Sequence, residues 1–218
     1  RKLEEVLGIR EKRPRSMIVY SATRQEFTND VLSNEIEKRI LEGFRSRRGI
    51  SVSENEKTAW RNSMQYMNNV LMDGEIPADA GVAIEYTIPQ TAKRIDFILT
   101  GKDGRRRDTA VIVELKQWTE ARMTDRDGIV ETFVGKGIRE VAHPSYQAWT
   151  YAALIRDFNE TVQEDEIRLA PCAYLHNCVT PGVIQAEFYR YHTEQAPAFV
   201  REDVERLKRF LQQHVRYG

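Results

Sequence analysis

Residues 94–118 read RIDFILTGKDGRRRDTAVIVELKQW. Arg94 to Thr100 is a short β-prone run, Gly101-Lys102-Asp103-Gly104 is a strong turn signal, and Ala110 to Trp118 is almost wholly apolar in its first half. The pattern predicts two strands joined as a hairpin, the second buried on both faces and so central in its sheet. Side chains alternate across a strand, so Glu114 and Lys116 share one face while Val111, Val113 and Leu115 take the other. Glu-x-Lys alone reads most simply as an ion pair on a solvated sheet face. The hairpin, however, sets Asp96, bracketed by Ile95 and Phe97, beside Glu114. Two carboxylates pushed together raise each other's pKa unless a cation lies between them. A hard divalent cation accepts two carboxylates, a backbone carbonyl and waters, a set that Asp96, Glu114 and the carbonyl of Leu115 supply. Lys116 would then orient water or stabilise charge growing on a phosphate oxygen.

Before this hairpin, Val82 to Ile88 reads as a strand turned by Pro89-Gln90-Thr91. Ser53 and Glu56 form a capping-box pattern, and an amphipathic helix follows over Lys57 to Met72, ended by Asp73-Gly74. Glu85, on the strand Val82 to Ile88, offers an extra ligand, with surface pairing to an arginine the stronger reading. Asn29 to Phe44 carries apolar residues at helical spacing, and residues 1–16 read as a charged helix or tail, with Met17 suited to a natural start. After the hairpin, Thr119 to Ala142 reads as a polar loop containing Gly135-Lys136-Gly137. Pro144 opens a helix to Phe158, Arg168 to Asn177 is a strand, Val183 to Tyr191 a fifth, and Arg201 to Val215 a closing helix. In the middle helix Gln147, Thr150 and Tyr151 form one polar stripe on an apolar body. The expected architecture is α/β: a mixed central sheet of four to five strands flanked by helices over 51–218, with an N-terminal helical extension over 1–50.

Composition sets the outer bounds. The 218 residues balance 33 Lys+Arg against 33 Asp+Glu, which excludes a uniformly basic coat and leaves local patches: Arg45, Arg47 and Arg48, and Arg105, Arg106 and Arg107. No apolar run reaches the roughly 18 residues of a membrane span. Cys172 and Cys178 fit no zinc spacing, and with no secretory signal visible the expected compartment is the reducing cytoplasm.

Asp96, Glu114-x-Lys116 and Gln147-x-x-x-Tyr151, in that order, resemble the RecB-like branch of the PD-(D/E)xK nucleases. The resemblance covers about residues 53–178 and departs from the pattern where Ile95, not Pro, precedes Asp96. It implies a restriction-endonuclease-like core in which Asp96 and Glu114 bind magnesium or manganese, Lys116 assists catalysis, and Gln147 and Tyr151 position the site. In that branch an acid on the helix before the meander can approach the metal, a place Glu56 would fill, with capping the stronger reading. The implied substrate is DNA, with RNA the alternative; on the residues themselves its grip would come from Arg105, Arg106 and Arg107, the Arg45 to Arg48 cluster and the loop near Lys136, with His143 a weaker candidate. A broader likeness, through Tyr20 to Phe27, Ala59 to Ser63 and His143 to Gln147, is to the N-terminal region of bacterial proteins that carry a Schlafen-like DNA/RNA helicase domain. No G-x-x-x-x-G-K-[ST] motif occurs here, so a helicase partner would lie in the same polypeptide or complex. The competing reading is a catalytically inactive nuclease-fold module that binds nucleic acid for that helicase.

Overall fold

The structure is a computed structural model that describes residues 18–48, 52–72, 74–88 and 91–218, with Arg47 and Arg48 as backbone only. The expected tail over 1–16, a start at Met17 and the turn at Pro89-Gln90 lie outside the described residues, as do the side chains of Arg47 and Arg48.

The meander read from the sequence is present as β2 (Gly81–Thr87), β3 (Arg94–Lys102) and β4 (Asp108–Lys116), paired antiparallel in that order. β4 is buried along nearly its whole length because both its faces are covered. On one face lies α3 (Glu54–Leu71), opened by the Ser53–Glu56 capping box; on the other lies α4 (Pro144–Phe158), with Pro144 in its first turn and His143 as its cap. β8 (Arg168–Leu175) continues the sheet parallel to β4, and β9 (Ala198–Val200) runs parallel to β8. The closing helix is α8 (Val204–His214), whose Leu207 and Leu211 are buried.

Four readings change. The sequence predicts a helical extension over 1–50. Within its described part the chain adds an edge strand, β1 (Tyr20–Thr23), and two helices, α1 (Arg24–Leu32) and α2 (Ile36–Arg48). Phe27, Ile40 and Phe44 pack in one apolar cluster with Trp60, Ile84 and Phe97, so these elements belong to the main core. The sheet thus has six strands, in the order β1-β2-β3-β4-β8-β9.

The polar loop over Thr119–Ala142 is a second, three-stranded sheet: β5 (Arg122–Met123), β6 (Ile129–Val134) and β7 (Gly137–Ala142). β6 reads IVETFV and β7 GIREVA, with their apolar residues mostly grouped rather than alternating with polar ones, so no period of two marks them as strands. Val183–Tyr191 is helical, as α6 (Pro181–Ile184) and a short 3-10 turn, followed by α7 (Arg190–Gln195); between α4 and β8 lies α5 (Glu160–Glu164). Short mixed runs do not separate strand from helix by period, and Pro181 starts a helical turn here. Among the described residues no helix is long and apolar enough to cross a membrane.

The β2–β3 ladder is continuous except at one step. Ile84 pairs Phe97 and Tyr86 pairs Ile95, while Glu85 and Asp96, opposite each other between them, make no ladder pair. Glu85 has φ +56°, a left-handed conformation that a non-glycine residue rarely holds inside a strand. It shifts the alternation by one: Ile84 and Phe97 sit in the cluster under α3, whereas Tyr86 and Ile95 sit in the one under α4. The β3–β4 ladder also ends at this row, its last pair being Phe97 with Val113.

Candidate active site

The expected hairpin carries its two acids to the point where the strands part. There the Asp96 side chain replaces a backbone partner: Leu115 N–H donates to Asp96 Oδ2 at 2.9 Å. In an extended strand a residue's N–H and C=O face the same edge, so the Leu115 carbonyl points to the same opening. From β4, Lys116 Nζ donates to Glu114 Oε1 at 2.6 Å. From α4, Gln147 Nε2 donates to the same Glu114 oxygen at 2.6 Å and lies 2.9 Å from the Tyr151 hydroxyl. Asp96, Glu114, Lys116, Gln147 and Tyr151, drawn from three elements and 56 residues of chain from Asp96 to Tyr151, therefore form one connected group.

The electrostatics of the group are unbalanced. Glu114 is only 2% exposed. Burial, and then the charge of Asp96, push its carboxyl up to about 8 against the pull of Lys116. Burial likewise raises Asp96, opposed by Lys116 and the Leu115 N–H. Burial alone would lower Lys116, but the charges of Glu114 and Asp96 outweigh it and raise the amine, which stays charged. Two carboxylates and one ammonium leave one negative charge out of bulk water, a costly arrangement that a proton or a cation relieves. Glu114 Oε2 is buried and no hydrogen-bond donor reaches it. That open acceptor, the excess charge and the all-oxygen donor set of Asp96, Glu114 and the Leu115 carbonyl fit a hard divalent cation. Among the described residues no three His, Cys, Asp or Glu side chains are gathered to hold a metal ion. A cation here would take two carboxylates, and the backbone and water would complete its shell.

A cavity of about 640 Å³ opens beside the group, with Asp96, Glu85 and Lys116 on its floor. Trp60 and Ser63 of α3 wall one side; Phe133, Val134 and Gly135 of the β6–β7 hairpin wall another. Gln117 locks the end of β4, donating to Ala59 O at 2.8 Å and Ser63 Oγ at 3.2 Å, and Ser63 Oγ lies 3.1 Å from His176 Nε2.

Several expected contributors sit elsewhere. Glu56 stays in its capping box, bonded to Ser53, with Arg94 4.0 Å away, and does not line the cavity. His143 is fully buried: Nδ1 accepts from Ser145 N and Nε2 meets Ile184 O at 2.9 Å. Burial pushes it down to about 4, so it is a neutral helix cap with no face for a phosphate. Arg105, Arg106 and Arg107 occupy the β3–β4 turn, at the far end of β4 from Lys116, roughly 25–30 Å away at strand rise. Arg107 is held by Asp103, 2.7 Å away, and Arg106 lies 3.8 Å over the Tyr217 ring. Lys136 lies at the exposed tip of the β6–β7 hairpin, next to Gly135, which lines the cavity; Lys136 itself does not line it. Glu85, expected on the surface beside an arginine, does pair with one, Arg94 at 3.0 Å, but it is buried, accepts from Trp60 Nε1 at 3.0 Å and lines the cavity. Its one sequence signal is an acid amid a buried strand, opposite Asp96.

No protein-family model, no curated protein and no solved structure matches the chain.

Proposed function

We propose that this chain is a magnesium- or manganese-dependent nuclease that hydrolyses DNA phosphodiester bonds, with the restriction-endonuclease-like core and RecB-like motif order its sequence resembles, and that it serves as the nuclease part of a helicase-nuclease protein. The observation that carries this reading is the convergence of Asp96 and Glu114 on a splayed strand pair, with Lys116, Gln147 and Tyr151 bonded around them.

Asp96, Glu114 and the Leu115 carbonyl would hold the cation. A bound divalent ion supplies Lewis acidity at a phosphate oxygen and makes water more acidic. Lys116 keeps a positive charge at the cavity floor, where negative charge builds on the phosphate in the transition state. Gln147 fixes the rotamer of Glu114 and Tyr151 fixes Gln147, so the carboxylate needs little reorganisation when the substrate arrives. The apolar walls restrict water around the reacting phosphate.

The test is digestion of linear, circular and single-stranded DNA in magnesium or manganese, with calorimetry of manganese binding. Wild type should cut, and Asp96→Ala and Lys116→Ala should each lose about 100-fold or more. Cleavage that survives either substitution, or a wild type that binds no manganese, would overturn the reading.

A further inference from the structure

The β6–β7 hairpin is anchored at its root and bare at its tip. At the root Val130 is buried, Thr132 Oγ1 donates to Glu120 O at 2.7 Å, and the Tyr189 hydroxyl donates to Ile129 O at 2.7 Å. At the tip Phe133 and Ile138, directly opposite in register, are 63% and 53% exposed. Gly135, at φ +66°, makes the tight turn, and Phe133 of this pair lines the cavity. Lys136 and Arg139 on the same hairpin form no ion pair among the described residues. A bare aromatic near an exposed lysine, on a stem anchored at its root and lining the cavity that holds Asp96 and Lys116, is chemistry that fits an unpaired base and its backbone.

We infer that this hairpin is a stacking platform and Phe133 a specificity-determining residue: the ring stacks on the base next to the scissile phosphate, which makes single-stranded DNA the substrate class of the site. The inference rests on the nuclease reading above and deepens it. A duplex keeps its bases stacked on one another and offers Phe133 no free face. A single strand does, and its phosphates meet Lys136 at the tip while the reacting one drops between hairpin and α3 toward Asp96 and Lys116. Trp118, half-buried on the cavity wall, offers a second ring.

Fluorescence anisotropy in EDTA, where nothing is cut, tests this with a 5′-labelled deoxyoligonucleotide of mixed sequence and its blunt duplex. Wild type should bind the single strand at least about tenfold more tightly than the duplex, and Phe133→Ala should weaken single-strand binding roughly 5- to 100-fold. Duplex binding should not change, and Phe133→Trp should restore single-strand binding, which a misfolded variant would not do. Single-strand affinity unaltered in Phe133→Ala, or a wild type that prefers the duplex or binds no single strand, would overturn the inference and leave the apolar tip to a protein partner. Metal-dependent cleavage is read separately, so the platform and the chemistry can fail independently.

Discussion

Glu114 concentrates the physics of the site in one side chain. Its carboxyl titrates near 8 in the folded protein and near 4.5 when unfolded. Between those values the folded state holds more protons, so its stability falls as pH rises through that window and levels off above it, with a slope of up to about 1.4 kcal/mol per pH unit. A divalent cation prefers the deprotonated group, so manganese should raise Tm more at the alkaline end of the window than at the acid end. Melting curves in EDTA and in manganese across the window measure both trends, and Glu114→Gln should flatten both. His143 works in the opposite sense. Its folded value lies near 4, below the ordinary 6.5, so it costs stability as pH falls from about 6.5 toward 4. His143→Ala should lower stability by about 1–3 kcal/mol by stranding the buried Ser145 N–H and Ile184 carbonyl, measurable by urea unfolding at neutral pH.

At the level of the element, β2 bends the rules of a strand to serve the site. Glu85 holds a left-handed φ that costs a side-chain-bearing residue roughly 1–2 kcal/mol. In an ordinary strand glycine is worse than alanine; here the order should invert. Glu85→Ala and Glu85→Gly both strip the acceptor from the buried Trp60 N–H, but only glycine adopts φ +56° freely, so Glu85→Gly should unfold at the higher urea midpoint. The β3–β4 turn is a structural clasp. Asp103 accepts from the backbone N–H groups of Arg105 and Arg107, and the Arg107 side chain holds its carboxyl down at about 2. A Cβ on Gly101, near the end of β3, would collide with the Tyr217 backbone carbonyl, where the C-terminal residues bridge to Lys102. Gly101→Ala should therefore lower Tm by several degrees and leave the proposed metal-dependent cleavage, at the far end of β4, unchanged when assayed well below that Tm.

Over the whole molecule, one core spans the expected division at residue 50. Phe27, Val31, Ile40 and Phe44 are all at most 4% exposed and pack among side chains of α3, β2 and β3. Each such side chain contributes about 1.5–3 kcal/mol on burial, so removing the four forfeits on the order of 10 kcal/mol, comparable with the whole stability of a typical domain. A chain beginning at residue 51 should give no cooperative melt, whereas the full chain should give one; circular dichroism on heating distinguishes them.

The meander, the buried β4, the capped α3 and the Pro-opened α4 were legible in the sequence because each is written in local periods and caps that pack as expected. Strand alternation and helical spacing showed that Glu114 and Lys116 share one face and Gln147 and Tyr151 another; that the two sets with Asp96 belong to one site came from the family resemblance, not from either period. What the tertiary structure alone decided is who reaches whom. His143 and Glu56 are turned into caps, and Arg105 to Arg107 are carried to the wrong end of β4, because proximity in space depends on strand direction and helix docking. Glu85 is brought into the row with Asp96, and Phe133 is held out over the cavity, by pairings between segments far apart in the chain, which no short window of sequence encodes.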